Sequence, residues 1–394
     1  MGGRRPLPAL DGLRAVAAAA VVLTHVAFRT GETGRGAGGA VLARFDAGVA
    51  IFFVLSGFLL YGSTGRLRRY ALRRAARILP AYWVVVAVAA LFWSVPATHW
   101  WLGQTYLGPL ATPLTQTWSL CAELAFYAAL PGLAALARRW EWPTLIGCAA
   151  LAYGWIVVVH LVDAPQRSLL WLPGHLDWFA AGMAVAAVAR RGVPPWLAQL
   201  AAWPGTCWAA SGALLFLLSS PIAGPLTLAP IPGPAAVGKE AGYAVVALLL
   251  LVPCALGPQR GVLASEPLRF LGRVSYGIFL WHLIVLDVVY RVTGWADFTG
   301  RMVAVALLTG IFSVLLGWLS WVLVERPALR LADRVAGRVA RRAPAGERGG
   351  EQAERDRAED LAGAPDPAGP LVHGQQQSGQ GERTAHAGGA APAR

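Results

Sequence analysis

The sequence predicts an all-α, polytopic membrane protein with about ten transmembrane helices, both termini in the cytoplasm and a disordered C-terminal tail. Hydrophobic residues make up 56% of the 394 residues and charged residues only 14%, whereas soluble domains usually contain about 25% charged residues. Apolar runs of roughly 20 residues, the length that crosses a bilayer as a helix, recur along most of the chain. Many of the seventeen tryptophans lie near the ends of these runs, where an amphipathic ring meets the membrane interface.

The apolar runs predict ten spans, of which the sixth is the shortest. They lie near residues 9–28, 45–63, 78–97, 117–137, 143–162, 174–189, 198–220, 239–257, 272–293 and 301–324. The stretch 100–116 between the third and fourth spans lacks charge but is interrupted by glycines and prolines. We interpret it as a candidate re-entrant segment, because irregular backbone at membrane depth needs cover from the surrounding protein.

The distribution of basic residues predicts the orientation of the chain. A net charge of +13 can indicate nucleic-acid binding, but here the basic residues alternate with apolar runs and form no single patch. Basic residues are more numerous on one side, in the connections near 4–5, 66–77, 138–139, 190–191 and 260–273. The positive-inside rule places that side in the cytoplasm, and an even number of spans places both termini there. Lys239 is the only lysine, an arginine-rich composition that favours a bacterial source with a GC-rich genome.

Composition divides the chain into a membrane domain, 1–335, and a tail, 336–394. From Ala343 to Arg394 there is no aromatic residue and only three large aliphatic residues. Such a segment buries too little apolar surface to offset its ordering entropy, so we expect a disordered cytoplasmic tail. The four cysteines lie in apolar runs without paired spacing. They are therefore interpreted as packing residues, with neither a disulfide nor a metal site expected.

The first span contains two ionisable residues, Arg14 and His25. An arginine inside a span costs roughly 2.5–3.5 kcal/mol on insertion scales, so it needs a partner or a function. Eleven residues amount to three helical turns plus about 20°, which places both side chains on one face, roughly 16 Å apart along the axis. Arg14 is expected near the cytoplasmic rim, and His25 deeper, toward the far side.

This spacing fits a long substrate with a phosphate at one end and a reactive group at the other. A guanidinium is always charged and presents a fork of donors to phosphate. A histidine with a pKa near 6.5 can take a proton from a hydroxyl. Acyl-coenzyme A is a donor of this shape. The structural alternative is that Arg14 pairs with Asp11 and His25 bonds a backbone carbonyl, and spacing alone does not decide between the two.

Five further motifs accompany the first span, in a fixed order along the chain. The six segments are LDGLRAVAAAAVVLTH, FDAGVAIFFVLSGFLLYG, RLRRYALRRAARILPAYW, TWSLCAELAFYAALPGL, RVSYGIFLWHLIVL and VERPALRL. As an ordered set, from about Leu7 to Leu331, they closely resemble the acyltransferase type 3 family of integral-membrane O-acyltransferases. Each motif is weak alone, and the resemblance depends on their order.

The resemblance implies roles for four basic residues. Family members carry a basic residue, ten intervening residues and a histidine, which Arg14 and His25 match. The histidine is implied to be the catalytic base and Arg14 part of the donor site. An Arg-x-x-Arg motif corresponds to Arg74 and Arg77, implied to bind coenzyme A phosphates at the cytoplasmic mouth. The structural alternative is that the positive charges of Arg74 and Arg77 only set the orientation of the chain in the membrane.

Three acidic residues are candidates for orienting His25: Asp46, Glu123 and Glu325. A carboxylate commonly fixes the tautomer of a catalytic imidazole. Many family members have an acid where this chain has Ala50, and Asp46, one turn earlier, is expected to take its place. The structural alternative for Glu123 is that it is a buried acid that pairs with an arginine and has no catalytic role.

Other polar residues carry weaker expectations. Ser56 is interpreted as a small residue that permits close helix approach, and not as a nucleophile. His282 is expected to make structural hydrogen bonds inside the ninth span. His175 and Asp177, at the outer end of the sixth span, are candidates for contact with an acceptor.

These features predict a membrane O-acyltransferase in the bacterial plasma membrane, with acyl-coenzyme A, by default acetyl-coenzyme A, as donor substrate and no permanently bound cofactor. The implied acceptor is a hydroxyl of a cell-surface, lipid-linked or exported glycan, or of a sugar on a secreted metabolite such as a macrolide. The expected partners further include membrane lipids and exclude nucleic acid. One alternative is a proton-coupled transporter that uses His25, Glu123 and Glu325 as a relay. Another is a scaffold whose basic loops bind anionic lipid.

Overall fold

The computed structural model describes residues 7–61, 67–108, 110–227 and 229–342, which contain helices and no strand. The α-helices are α1 Pro8–Thr30, α2 Gly36–Ala43, α3 Gly48–Leu60, α4 Leu67–Phe92, α5 Gln104–Leu107, α6 Trp118–Arg139, α7 Glu141–Leu161, α8 Leu176–Arg191, α9 Pro195–Ala201, α10 Pro204–Leu218, α11 Gly233–Leu256, α12 Glu266–Thr293, α13 Met302–Ser320 and α14 Arg326–Arg342. Short 3₁₀ turns occupy several connections, and a π-helical turn, Trp321–Glu325, joins α13 to α14.

The predicted all-α, polytopic membrane architecture is confirmed, and every predicted span except the seventh overlaps one α-helix. Within the described ranges, eight helical stretches are long and apolar enough to cross a membrane, or nine if α9 and α10 form one span. The predicted sixth span is α8, whose 16 residues extend about 24 Å, less than the roughly 30 Å of hydrocarbon. The predicted seventh span, 198–220, is wrong as one straight helix, because α9 and α10 meet at a bend of 81°. Pro204 begins α10, and proline cannot continue the preceding helix.

The boundary of the predicted tail also shifts. The helix α14 continues to Arg342, so residues 336–342 are helical where the sequence predicted disorder. The rest of the predicted tail, 343–394, lies outside the described residues. The predicted re-entrant stretch contains short helical turns between α4 and α6, and its polar residues Gln104 and Gln116 are buried, as is His99 just before it.

Hydrogen bonds and ion pairs join helix ends on the side of the bundle where the sequence placed most of the arginines. Glu141, at the start of α7, accepts hydrogen bonds from Tyr61 after α3 at 2.8 Å and from Arg190 at the end of α8 at 2.7 Å. Arg73 in α4 pairs with Asp333 in α14 at 3.2 Å. The ends of α3, α7 and α8 therefore meet one another, and α4 meets α14, as the alternating topology requires.

The opposite side is joined in the same way. Arg29, at the end of α1, binds Asp287 in α12 at 2.9 Å and Asp297 in the following connection at 2.8 Å. Lys239, at the start of α11, binds Asp46 before α3 at 2.7 Å. We refer to the two faces as the arginine-rich side and the opposite side. Their assignment to cytoplasm and exterior stays a prediction from charge.

The helix α1 lies in the interior of the bundle, where it packs against α3, α11, α12 and α13. The nearby crossing of α3 and α8 depends on Gly57 and Gly182. A Cβ atom on Gly57 would lie 2.1 Å from the carbonyl oxygen of Phe179, and one on Gly182 would lie 1.9 Å from that of Val54. No side chain fits at either position, so glycine permits the close approach of two membrane helices, as the Ser56-Gly57 pair predicted.

Candidate active site

Two cavities lie along α1, one toward each side of the bundle. The arginine cavity, about 400 Å³, is lined by Arg14, Arg74, Arg77, Glu123 and Tyr127 together with the apolar faces of α3 and α12. The histidine cavity, about 610 Å³, is lined on the opposite side by residues that include His25, Asp46, His175, Lys239 and Glu240. Among the described residues, Val49 alone lines both cavities.

A single continuous helix places Arg14 and His25 in different cavities. The helix α1 runs from Pro8 to Thr30 without a break, so the roughly 16 Å offset expected from their spacing applies. Arg14 contacts Asp11 at 3.7 Å, a distance beyond a strong charged hydrogen bond. The structural alternative for Arg14 is therefore present but weak, and its guanidinium still faces the arginine cavity.

Arg77 is held between aromatic rings and a buried carboxylate. Its guanidinium carbon lies 5.2 Å from the centre of the Trp321 ring and 5.8 Å from that of Tyr276. A guanidinium nitrogen also lies 2.9 Å from Oε2 of Glu325, whose side chain is fully buried. Cation–π contacts and a buried ion pair fix the direction of the guanidinium without covering the whole of it.

Glu325 reaches Arg77 because it ends the π-helical turn Trp321–Glu325. A π turn adds a residue to the helical repeat and therefore rotates the following side chain relative to an α-helix. The sequence predicted Glu325 as a possible partner of His25. The structure instead places it behind Arg77 at the arginine-rich side.

Arg74 and Glu123 face the same cavity as Arg77. The guanidinium of Arg74 lies 5.9 Å from the centre of the Tyr127 ring, and its buried Nε has no hydrogen-bond partner within the described part of the chain. Glu123 accepts hydrogen bonds from Ser56 at 2.8 Å and from Tyr127 at 2.5 Å. With Glu325 behind Arg77, two carboxylates lie among three arginines, which leaves an excess of one positive charge.

The ring of His25 is oriented by a backbone carbonyl and a second histidine. Nδ1 of His25 donates to the carbonyl oxygen of Val21 at 2.7 Å, and Nδ1 of His282 donates to that of Phe279 at 2.7 Å. A carbonyl oxygen only accepts, so each Nδ1 carries the hydrogen and each Nε2 presents a lone pair. Nε2 of His282 lies 3.3 Å from Nδ1 of His25 and acts as its second acceptor. Nε2 of His25 is then the nitrogen available to take a proton.

The expectation that an acid orients His25 is therefore corrected. Glu123 and Glu325 belong to the arginine-rich side, as described above. Asp46 lines the histidine cavity with His25, but its carboxylate accepts from Lys239 at 2.7 Å and from Tyr243. The expectation that His282 makes structural hydrogen bonds holds, yet one of them reaches His25. His282 is fully buried and the cavity lining does not include it.

Sequence reasoning missed most of the far wall of the histidine cavity. His175, a predicted acceptor contact, lines the cavity and donates from Nδ1 to Glu240 at 2.8 Å, whereas Asp177 is buried outside its lining. Arg44 is 2% exposed and donates to the carbonyl oxygens of Leu218 at 2.8 Å and Gly224 at 2.5 Å. The available signal was the Lys239-Glu240 pair, two charges at the start of an otherwise apolar run.

Comparison with known proteins identifies the family of the chain. The model of the acyltransferase domain family matches residues 7–322. The exopolysaccharide production protein ExoZ of Rhizobium meliloti is 30% identical over 308 residues, 72% of this chain and 89% of its own length. Nodulation protein 10 of Rhizobium leguminosarum bv. viciae is 26% identical over 324 residues, 72% of this chain and 82% of its own.

A streptomycete protein and a longer relative extend the comparison. Acyltransferase MdmB of Streptomyces mycarofaciens is 28% identical over 382 residues, 83% of this chain and 93% of its own. Peptidoglycan O-acetyltransferase OatA of Listeria monocytogenes is 24% identical, and the match covers 56% of its length. No solved structure matches the chain significantly. Because the family match covers most of the sequence in one continuous stretch, the chain belongs to the acyltransferase type 3 family of integral-membrane acyltransferases, as its motifs predicted.

Proposed function

We propose that the protein transfers an acyl group from acyl-coenzyme A in the cytoplasm to a hydroxyl group on the other side of a bacterial plasma membrane. The acceptor is a sugar, carried either by a cell-surface or exported glycan or by a secreted metabolite. The observation that carries this proposal is that α1 places its two ionisable residues in two different cavities. Arg14 lies in a cavity rich in arginine, and His25, with Nε2 available, lies in a separate cavity on the opposite side.

The arginine cavity suits the phosphorylated donor. Arg14, Arg74 and Arg77 line a space whose other walls are apolar side chains, serine and tyrosine residues and Glu123. Arginine binds phosphate oxygens through paired donors and stays charged at any physiological pH. The phosphates would bind at this mouth, and the pantetheine arm would extend inward beside the apolar residues of α3.

The histidine cavity suits a hydroxyl acceptor. Its two acidic groups are paired, Asp46 with Lys239 and Glu240 with His175, and the guanidinium of Arg44 is bonded to backbone carbonyls. Paired groups still offer hydrogen bonds but little net attraction for a charged ligand. Trp118 and Trp178 also line the cavity, and an aromatic face provides an apolar surface for a sugar ring. This combination favours a neutral polyhydroxyl molecule.

The chemistry requires one base at the junction of the cavities. The acceptor oxygen attacks the thioester carbonyl carbon while Nε2 of His25 takes the hydroxyl proton. The resulting imidazolium donates from Nδ1 to Val21 and His282, which hold the ring in place. When the tetrahedral intermediate collapses, the carbon–sulfur bond breaks, and the departing thiolate receives the proton from His25. The products are the acyl ester and coenzyme A.

The test uses purified protein in lipid nanodiscs with acetyl-coenzyme A and a panel of hexose and deoxyhexose glycosides. We expect acceptor-dependent release of free thiol and an acetylated glycoside by mass spectrometry. His25→Ala should lower kcat by about 10²–10⁴-fold, the usual contribution of a general base. The matched control is His160→Ala, because Nδ1 of His160 makes the same 2.7 Å bond to a carbonyl four residues earlier but lies outside both cavities.

Two results would contradict the proposal. Wild-type turnover in His25→Ala, with the protein folded, would exclude His25 as the base. Proton-coupled glycoside uptake into vesicles without thiol release would favour the transporter instead. The ion pair between Glu325 and Arg77 already removes one acid from the relay that a transporter would need.

A further inference from the structure

The boundary between the two cavities is narrow and lined by apolar residues. The inner end of the arginine cavity is formed by Val49, Phe52, Phe53 and Phe279. Val49 also lines the histidine cavity, where His25 lies. A donor whose phosphates bind the arginines must therefore present its reactive end at this boundary.

A chain of aromatic contacts connects this boundary to His25. The rings of Phe52 in α3 and Phe279 in α12 pack edge to face with centres 6.3 Å apart. The centre of the Phe279 ring lies 5.9 Å from that of His282, which in turn lies 5.0 Å from that of His25. The ring of His282 thus lies between the Phe52–Phe279 pair and His25.

The aromatic residues at this boundary differ in how tightly they are packed by their neighbours. Phe53 stacks on Phe179 at 4.4 Å, and Phe179 stacks on Phe126 at 3.8 Å. All three rings belong to the buried core. Phe52 is only partly buried, and its ring contact is with Phe279. Phe52 is therefore the aromatic residue of the wall that can be changed without removing a core side chain.

Given the proposed function, we propose that Val49, Phe52 and Phe279 form an acyl-binding constriction that selects short acyl groups such as acetyl. The apolar walls accept a methyl group and exclude water from the thioester. Coenzyme A stays in the arginine cavity, the sugar stays in the histidine cavity, and only the acyl carbon is shared. A longer chain meets the rings of Phe52 and Phe279, because tightly packed walls accommodate extra methylenes poorly.

The test compares acetyl-, propionyl-, butyryl- and hexanoyl-coenzyme A as donors, with one glycoside that the wild type acylates. We expect kcat/KM of the wild type to fall steeply with chain length. Phe52→Ala should raise the ratio of butyryl to acetyl transfer by about tenfold or more, since one methylene in a fitted pocket changes selectivity by 10- to 200-fold. Phe279→Leu should shift the ratio in the same direction from the other wall.

The matched control is Leu59→Ala. Leu59 lines the arginine cavity two helical turns farther along α3, toward the arginine-rich side. This variant enlarges the same cavity by a similar change but leaves the constriction intact, so it should keep the wild-type order of chain preference.

The outcomes separate this inference from the proposed function. Acetyl transfer by Phe52→Ala and Phe279→Leu with an unchanged chain-length profile would overturn the constriction while leaving the acyltransferase intact. An equal shift in Leu59→Ala would overturn it as well, because selection would then depend on total cavity volume. Absence of thiol release from every donor by the wild type would overturn the proposed function and the constriction together.

Discussion

The two cavities along α1 differ in how they satisfy their charges. In the histidine cavity, Asp46 pairs with Lys239 and Glu240 pairs with His175. In the arginine cavity, Arg77 pairs with Glu325, and the guanidinium groups of Arg74 and Arg77 also lie against aromatic rings. A ring orients a guanidinium but accepts none of its hydrogen bonds in the way that a carboxylate does.

The difference supports the separate ligands that we propose for the two cavities. Guanidinium groups that are oriented but incompletely bonded keep donors for an incoming anion, and excess positive charge attracts it. Polar groups that are already paired with one another are not destabilised when the cavity is empty. They exchange hydrogen bonds with a neutral ligand at little cost. Variants of the two cavities should therefore separate donor binding from acceptor binding.

The largest effect is expected for Arg77→Met. Glu325 is fully buried beside this guanidinium, and removal of one partner of a buried ion pair costs about 3–5 kcal/mol. We expect a lower thermal unfolding temperature in nanodiscs and a raised KM for acyl-coenzyme A, with the acceptor KM unchanged.

A double variant separates the two consequences of that change. Arg77→Met combined with Glu325→Gln removes the unpaired buried charge, so most of the lost stability should return. Donor affinity should not return, because the guanidinium is still absent. If the double variant recovered the wild-type donor KM, Arg77 would have only a structural role.

An intermediate effect is expected for His282→Phe. Phenylalanine keeps an aromatic ring at this buried position but cannot accept the hydrogen on Nδ1 of His25. A hydrogen bond to a charged group contributes about 1.5–3 kcal/mol, so kcat should fall about 10- to 100-fold. Both KM values should stay near wild type, because His282 lines neither cavity.

The rescue variant is His282→Gln. Its side-chain oxygen can accept from Nδ1 of His25, and we expect it to recover part of the lost kcat. Equal losses in the phenylalanine and glutamine variants would mean that only the shape of the imidazole matters. Steady-state kinetics with purified protein decides between the two.

The sequence was sufficient to predict the features that depend on local spacing. Arg14 and His25 share one face of α1 because helical geometry relates residues eleven positions apart. The helical segments follow from apolar runs. The bend between α9 and α10 was missed because the mean hydropathy of a segment does not depend on the direction of its helix axis. Pro204 marks the position of the bend.

Features that depend on long-range contacts could not be predicted in the same way. His282 is 257 residues from His25 in the chain, and no periodicity relates them. The π-helical turn that directs Glu325 to Arg77 has no signature in the apolar pattern of α13. Asp46 was expected beside His25, but Lys239 and Tyr243 in α11 bind it instead. Competition for a carboxylate among distant donors is decided only by packing.

The smallest effect is expected for Asp46→Asn. Lys239 and Tyr243 bond different oxygens of Asp46, so the single amide oxygen can accept from only one of them, and the charge is lost. The Asp46 side chain is 40% exposed, and exposed ion pairs contribute about 0.2–1 kcal/mol. The acceptor KM should therefore rise by up to about fivefold, with the donor KM unchanged.

The matched control for Asp46→Asn is Asp297→Asn. Asp297 also forms an ion pair on the opposite side, with Arg29 at 2.8 Å, and its side chain is 49% exposed, but it lines neither cavity. Its substitution should leave both KM values unchanged. If Asp46→Asn altered the donor KM instead, the two cavities would not bind separate substrates, and the division along α1 would have to be abandoned. A rise in acceptor KM confined to Asp46→Asn would show that the histidine cavity holds the sugar.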